Sequence, residues 1–186
     1  MKTTIMIFLT LLIIPATVSQ AQLDPGANSI GIYFDLDATV NCLDTYFSVA
    51  TCHILITSPS ESSGIAGMEG YFDIPSSVFF LGLDCPGFII PPPWPDFQIF
   101  FLEPLPPTPI VWICDFHIFV ATFDPAMFYI YDPAYYAGDD PELIVPLNPS
   151  TGYDEFGDPN PVAAINGDCP VPSEATTWGC LKSLYQ

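Results

Sequence analysis

Short runs in which apolar residues alternate with polar or small ones cover most of the chain, and turn residues separate them. In residues 29–36, for example, Ile30, Ile32 and Phe34 alternate with smaller or more polar neighbours. Because successive side chains of a β-strand point to opposite faces, this pattern predicts strands. Further strands are predicted at residues 45–57, 67–74, 77–83, 97–103, 110–122, 126–131 and 162–167.

Many short strands separated by Pro-, Gly- and Ser-containing turns are typical of an all-β domain built as a two-sheet antiparallel β-sandwich. The strongest of these strands is residues 110–122. Its alternation places Trp112, Cys114 and Phe116 on the core face and His117 on the opposite face. We therefore expect one sandwich whose core is filled largely from this strand and its neighbours.

The first 21 residues have the pattern of a signal peptide. A single cation, Lys2, precedes an apolar run at residues 5–14, and small residues follow around Ala21. The apolar run is too short to span a bilayer. We therefore expect export, removal of residues 1–21, one folded domain over residues 22–186 and no membrane insertion after cleavage.

The hydrophobic period changes near the end of the sequence. Trp178, Leu181, Leu184 and Tyr185 recur at helical spacing. This spacing gives one apolar stripe on a helix, which needs a surface to pack against. We predict a short C-terminal helix over residues 175–186 that docks against a sheet.

Six cysteines lie downstream of the signal peptide. An even number of cysteines in an exported chain predicts up to three disulfide bonds. There is no C-x-x-C pair, so zinc-ribbon and thioredoxin-type sites are not supported. Cys169 and Cys180 are close in sequence, and we expect them to pair and close a local loop.

The charge balance excludes two classes of partner. The chain has 21 acidic residues and only two cations, and its formal net charge is −19. Nucleic acids and anionic lipids are recognised by clustered Lys and Arg, which this chain lacks. We therefore expect no nucleic-acid partner.

Three segments resemble a group of exported bacterial proteins. They read SIGIYFDLDATVNC (29–42), ITSPSESSGIAGMEGYFDI (56–74) and PVAAINGDCPVPSEATTWGCLKSLY (161–185), and YYAGDDPELIVPLNPSTG (135–152) is similar to the loop before the last strand of that group. These proteins combine a signal peptide with one domain similar to the cohesin-like, immunoglobulin-like β-sandwich. The resemblance implies fold and export, and its motifs imply no catalytic activity.

The segment 132–161 is rich in acidic residues, Pro and Gly, and is predicted to be a long loop. Calcium binds oxygen ligands on such loops, so the candidate ligands are Asp139, Asp140, Asp154 and Asp158. Their spacing differs from that of an EF-hand. The alternative is a solvated acidic loop in a protein that is acidic throughout.

Aromatic side chains give a second candidate site. Trp94 lies within a proline-rich stretch, and Tyr135 and Tyr136 precede the acidic residues. Flat aromatic rings beside oxygen acceptors suit the faces of sugars. We therefore predict carbohydrate binding at these three residues; the alternative is that the rings fill the sandwich core.

These observations predict an exported, non-enzymatic binding or structural protein with a protein or glycan partner outside the cytoplasm. Its expected location is secreted, periplasmic or cell-surface. A carbohydrate-binding or calcium-dependent adhesion module is the alternative, and an unrecognised hydrolase without a G-x-S-x-G motif is a third. No cofactor is predicted apart from calcium.

Overall fold

The computed structural model describes residues 26–89, 96–140 and 142–170. The predicted signal peptide, Trp94, Cys180 and the predicted helix over residues 175–186 lie outside these ranges. Every regular element in the described ranges is a β-strand, so the all-β prediction is confirmed. Within those ranges, no helix is long and apolar enough to cross a membrane.

Twelve strands lie in the described ranges. They are β1 (Ser29–Tyr33), β2 (Cys42–Leu43), β3 (Ser48–Thr57), β4 (Ile65–Asp73), β5 (Val78–Asp84), β6 (Phe88–Ile89), β7 (Asp96–Leu105), β8 (Ile110–Val120), β9 (Ala126–Ala137), β10 (Ile144–Pro146), β11 (Asn148–Pro149) and β12 (Ala163–Ile165).

The strands form the predicted two-sheet sandwich. The five-stranded sheet has the order β11-β1-β3-β8-β5, and the seven-stranded sheet has the order β2-β12-β9-β4-β7-β6, with β10 paired to β9. Most pairs are antiparallel, as predicted, but β1 with β11 and β2 with β12 run parallel. Both parallel pairs involve strands of two to five residues, which are too short for their pairing direction to be read from sequence.

The core lies between the sheets and is built from the inward positions of the strands. Cys52, Ile54 and Ile56 of β3 are fully buried there. Phe116 of β8 and Phe128 of β9 meet across the two sheets with ring centroids 6.1 Å apart. Burial of each large apolar side chain contributes about 1.5–3 kcal/mol, so this layer supplies the main stabilisation.

A β-bulge in β8 changes which of its side chains reach the core. Ile113 is the extra residue, because Ile54 and Leu55 of β3 pair with its two neighbours, Cys114 and Trp112. Strict alternation holds only along an unbroken ladder. The prediction that Trp112 and Cys114 share the core face is therefore wrong, and Trp112 lies on the outer face of the five-stranded sheet, packed against Leu55.

The segment 132–161 is more regular than the single loop that was predicted. β9 continues to Ala137, β10 returns against it as a hairpin, and β11 joins the edge of β1. The strands β10 and β11 contain two or three residues each. A strand of that length is too short to produce a readable period, and this is why the composition alone indicated a loop.

Two disulfide bonds are formed among the described residues, and one of them corrects a prediction. Cys169 bonds to Cys42, with the Cα atoms 5.2 Å apart, so the predicted Cys169–Cys180 pairing is wrong. Parallel pairing of β12 with β2 brings the chain after Ile165 back beside Cys42. The second bond joins Cys85 to Cys114.

Candidate binding surfaces

The four aspartates predicted to bind calcium divide between two turns. Asp139 and Asp140 follow β9, and Asp140 Oδ1 accepts a hydrogen bond from the Glu142 amide at 3.1 Å. Asp154 and Asp158 lie in a second turn, where Asp154 Oδ1 accepts a hydrogen bond from the Asp158 amide at 2.9 Å. Among the residues that the structure describes, no three His, Cys, Asp or Glu side chains form a group that could hold a metal ion. Calcium at these residues stays a prediction.

Tyr135 and Tyr136, which were predicted to stack on sugars, are both buried. The Tyr135 hydroxyl accepts a hydrogen bond from the Glu61 amide at 3.2 Å and donates one to Asn28 Oδ1 at 3.4 Å. The Tyr136 ring stacks on Phe100 with centroids 5.0 Å apart. The protein itself therefore occupies the ring faces on which a sugar would stack.

The two histidines lie on the outer face of the five-stranded sheet. Asp115 Oδ1 accepts hydrogen bonds from His53 Nδ1 at 2.7 Å and from Trp112 Nε1 at 2.6 Å. On the next row, His117 Nδ1 lies 3.1 Å from Thr51 Oγ1. Each imidazole thus has its own partner, which is the sheet-packing role expected for polar residues on this face.

A row of aromatic rings continues from these histidines to one end of the same sheet; Phe119 is half-buried and the other rings are exposed. Neighbouring rings lie 4.1 to 6.4 Å apart between centroids. Val49 belongs to the same surface, because it pairs with Phe119 across β3 and β8. We call this surface the aromatic patch; its members are Tyr46, Phe47, Val49, Phe79, Phe119 and Phe123.

The aromatic patch is held in place by polar contacts between two loops. Asn166 Oδ1 accepts a hydrogen bond from the Thr45 amide at 2.9 Å, and Asn166 Nδ2 donates one to the Thr122 carbonyl at 3.2 Å. These bonds set Tyr46 against Phe123, whose rings stack at 4.1 Å with an interplanar angle of 10°. The loops therefore present their rings in a fixed arrangement.

Phe47, a member of this patch, has an unusual backbone conformation. Its φ is +48°, in the left-handed region that bulky residues rarely adopt, and its side chain is 69% exposed. Such a conformation costs about 1–2 kcal/mol for an L-residue. The fold thus holds a large apolar ring in solvent at a conformational cost.

The outer face of the seven-stranded sheet carries a different surface, a groove of about 320 Å³. Asp96, Tyr71 and Tyr131 form one row across β7, β4 and β9, and Gln98 and Glu69 pair on the next row. Tyr71 and Tyr131 meet edge to face, with centroids 5.8 Å apart. We call this surface the tyrosine groove; it is lined by Glu69, Gly70, Tyr71, Asp96, Phe97, Gln98, Tyr131 and Asp132.

A β-bulge in β9 opens the tyrosine groove. Glu69 pairs with Ala134, and Tyr71 pairs with Tyr131. Two residues of β9, Asp132 and Pro133, therefore lie opposite the single residue Gly70 of β4. One of the two is Asp132, whose φ of +46° is in the left-handed region. A bulge changes the direction in which nearby side chains point. Here Asp132 becomes one of the residues that line the groove.

Hydrogen bonds fix the polar row of the groove. The Tyr136 hydroxyl donates to Glu69 Oε2, and Gln98 Nε2 donates to the same oxygen at 3.3 Å and to the Tyr136 hydroxyl at 3.1 Å. Burial and the bond to Glu69 raise the pKa of Tyr136. Burial also raises the pKa of Tyr131, with Asp73 as the next cause. Both hydroxyls therefore stay protonated at neutral pH.

Neither surface was predicted from the sequence, although a signal for the aromatic patch was present. Phe123 lies in the turn between the strands predicted at residues 110–122 and 126–131. The strand predicted over residues 45–57 included Tyr46 and Phe47, whereas the structure places both in the turn before β3. Turns are normally polar, so large rings there indicate a surface with a role beyond folding. The tyrosine groove gave no such signal, because its residues alternate like those of any strand.

Comparison with known proteins identifies structural relatives. No protein-family model matches the sequence, and no curated protein sequence matches it. Among solved structures, the sixth cohesin of scaffoldin B from Acetivibrio cellulolyticus, in complex with a mutant Cel5 dockerin, is similar with a TM-score of 0.52. Its identity is 9%, and the match covers 77% of this chain and 100% of that one.

A second similar structure is the cohesin module of a family 33 glycoside hydrolase from Clostridium perfringens. Its TM-score is 0.50 at 8% identity, and the match covers 65% of this chain and 91% of that one. At these identities the likeness concerns the fold alone. The chain therefore has a cohesin-like β-sandwich, as predicted.

Proposed function

We propose that this chain is an exported, non-catalytic binding module that holds a protein partner on the aromatic patch. The observation that carries the proposal is the exposure of that patch. Phe47 and Phe123 are each 69% exposed, and Val49 and Phe79 beside them are also exposed. Contiguous exposed apolar surface of this kind marks interaction sites, and aromatic residues are enriched at protein interfaces.

The fold supports a binding role. The scaffoldin B cohesin to which the chain is similar was solved with a dockerin bound. A sandwich offers two broad sheet faces that do not have to move to bind, so a docking surface costs little conformational entropy. Here the Asn166 side chain connects the two loops of the patch by hydrogen bonds in the unbound protein.

Export is supported by the redox state of the chain. The described residues contain the disulfide bonds Cys42–Cys169 and Cys85–Cys114. Disulfide bonds persist in oxidising compartments and are rare in the cytosol. The predicted signal peptide indicates the same destination. We therefore place the partner outside the cytoplasm.

Charge narrows the choice of partner. The chain carries a net charge of −19, and Lys2 and Lys182 are its only cations. Two copies would repel each other at long range, and an acidic partner would be repelled likewise. The partner that fits is a protein with an apolar docking face and a neutral or basic surround.

The test uses two matched double variants as baits in the extracellular and envelope fractions. Phe47→Ala/Phe123→Ala removes the exposed rings of the patch, whereas Tyr153→Ala/Phe156→Ala removes two exposed rings elsewhere. A partner recovered with the parent chain is then purified and titrated against all three. We expect the patch variant to bind at least about 30-fold more weakly, since central aromatic residues contribute about 2 kcal/mol or more.

Two outcomes would overturn this function. Equal affinity of the patch variant and the parent would remove the patch from the interface. Turnover of a glycoside or ester panel by the purified parent chain would instead support the hydrolase alternative.

A further inference from the structure

We infer that the tyrosine groove is a second binding site, for a neutral saccharide. It lies on the outer face of the seven-stranded sheet, whereas the aromatic patch lies on the outer face of the five-stranded sheet. The outer faces of a two-layer sandwich point in opposite directions. Both surfaces can therefore be occupied at once. Saccharide binding in the groove can be tested independently of protein binding on the aromatic patch.

The size of the groove suits a small ligand. Its volume of about 320 Å³ falls at the lower end of the range for small-molecule sites. That space accommodates one or two sugar rings, and the rest of a longer glycan would extend into solvent. A folded protein surface would contact the rim of such a groove and leave its floor empty.

The aromatic walls provide the stacking surface. Tyr71 is 39% exposed, and its position is fixed by the edge contact with Tyr131 at 5.8 Å. Tyr131 is in turn 6.3 Å from Tyr129. A tyrosine ring held in this way offers an apolar face to the C–H groups of a sugar and keeps its hydroxyl available for a polar contact.

The polar row supplies hydrogen-bond acceptors for sugar hydroxyls. Glu69 and Gln98 are already oriented by their bonds to each other and to Tyr136. Asp96 lies beside Tyr71 on the neighbouring strand, and Asp132 forms the opposite wall. Preorganised acceptors lose little side-chain entropy when a ligand binds, so these residues favour a ligand rich in O–H donors.

The same residues select against charged alternatives. Three carboxylates and no Lys or Arg line the groove, so an acidic sugar would enter an uncompensated negative site. A metal ion is not favoured either, since no three ligating side chains converge in the described part of the chain. A lysine or arginine side chain of a peptide is the remaining competitor, and the experiment includes it.

The experiment is isothermal titration of the full mature chain with defined probes. The neutral probes are cellopentaose, xylopentaose and mannopentaose; tri-galacturonic acid tests the acidic class, and hexalysine tests the cationic one. Tyr71→Ala and Asp96→Ala alter the groove, and Tyr71→Trp keeps a stacking ring. Tyr46→Ala is a matched control at an exposed tyrosine on the opposite outer face. Circular dichroism confirms that each variant is folded.

We expect saturable binding of at least one neutral probe and of neither charged one. Tyr71→Ala should weaken that binding at least about tenfold and Asp96→Ala about threefold or more. Tyr71→Trp, Tyr46→Ala and the Phe47→Ala/Phe123→Ala patch variant should bind like the parent. The inference is overturned if no neutral probe binds at about 10 mM, if hexalysine or the acidic sugar binds better, or if Tyr71→Ala binds as the parent does.

Discussion

The outer faces of the two sheets use the same kind of side chain in different ways. On the five-stranded sheet, Tyr46, Phe47 and Phe123 lie in loops at one end, next to apolar neighbours, and form a flat hydrophobic surface. On the seven-stranded sheet, Tyr71 and Tyr131 sit in register on adjacent strands among carboxylates, and a bulge beside them opens a groove. The loop rings thus extend an apolar patch that continues onto Phe79 and Phe119 of the sheet, whereas the tyrosines of the groove have carboxylates as neighbours. This difference is the basis for proposing different partners for the two faces.

A change in the shared core should affect both faces and have the largest effect. Phe116 is fully buried and contacts Phe128 across the sheets. Replacing it in Phe116→Ala should lower the free energy of unfolding by about 3–5 kcal/mol, because the transfer and cavity costs add. Urea denaturation measures it, and Phe123→Ala, an exposed ring, should stay within about 0.5 kcal/mol of the parent. A loss below about 1 kcal/mol for Phe116→Ala would contradict this core.

Each of the two disulfide bonds among the described residues anchors a different sheet, so removing them one at a time compares their contributions to stability. Cys42–Cys169 joins cysteines 127 positions apart and anchors the seven-stranded sheet next to the patch loops. Cys85–Cys114 joins cysteines 29 positions apart and anchors the five-stranded sheet. Each double Cys→Ala variant should lose about 2–4 kcal/mol, and loop entropy makes the first loss larger by about 1 kcal/mol. Thermal and urea unfolding of both variants measure the order. A larger loss for the shorter loop would show that packing around Cys114, rather than loop entropy, dominates.

Substitution of Asn166 should alter the aromatic patch and leave the tyrosine groove unchanged. Its side chain joins the two patch loops by two hydrogen bonds, and its φ is +53°. Asn166→Ala should cost about 2 kcal/mol, since it loses the bonds and places an alanine in the left-handed region. Asn166→Gly tolerates that conformation and should cost about half as much. Equal losses in the two variants would show that the backbone conformation contributes nothing.

Tyr136 provides the converse change, on the groove side. Tyr136→Phe removes the hydroxyl that donates to Glu69 and should cost about 1 kcal/mol at neutral pH. Because the pKa of Tyr136 is raised in the folded state, the unfolded chain loses this proton first as pH rises. Its contribution is therefore complete below the ordinary tyrosine pKa of about 10 and falls as pH rises further.

The measurement is the free energy of unfolding between neutral pH and strongly alkaline pH. Tyr136→Phe should show a shallower alkaline loss than the parent, because the raised pKa of Tyr136 no longer contributes. Identical slopes in the parent and Tyr136→Phe would contradict the role of the bond to Glu69. This is the smallest effect of the four, because one hydrogen bond is changed.

The strands could be predicted from the sequence, but the side-chain positions and cysteine pairing that depend on strand register could not. The alternation in residues 110–122 correctly assigned Cys114 and Phe116 to the core. Trp112 was assigned to the wrong face because a bulge one residue away reverses the alternation, and no local pattern marks that bulge. Cys169 was paired with its neighbour in sequence, whereas its partner Cys42 is brought near by a strand pairing over more than a hundred residues.

The sequence by itself determined the strand content, the sandwich architecture, the acidity and the presence of disulfide bonds. These depend on local alternation, turn residues and composition, which act over a few positions at a time. Only the tertiary structure decided which aromatic rings stay in solvent and where Tyr71 meets Tyr131. Those outcomes depend on bulges and on the pairing of distant strands, and one residue of shift moves a side chain from one face to the other.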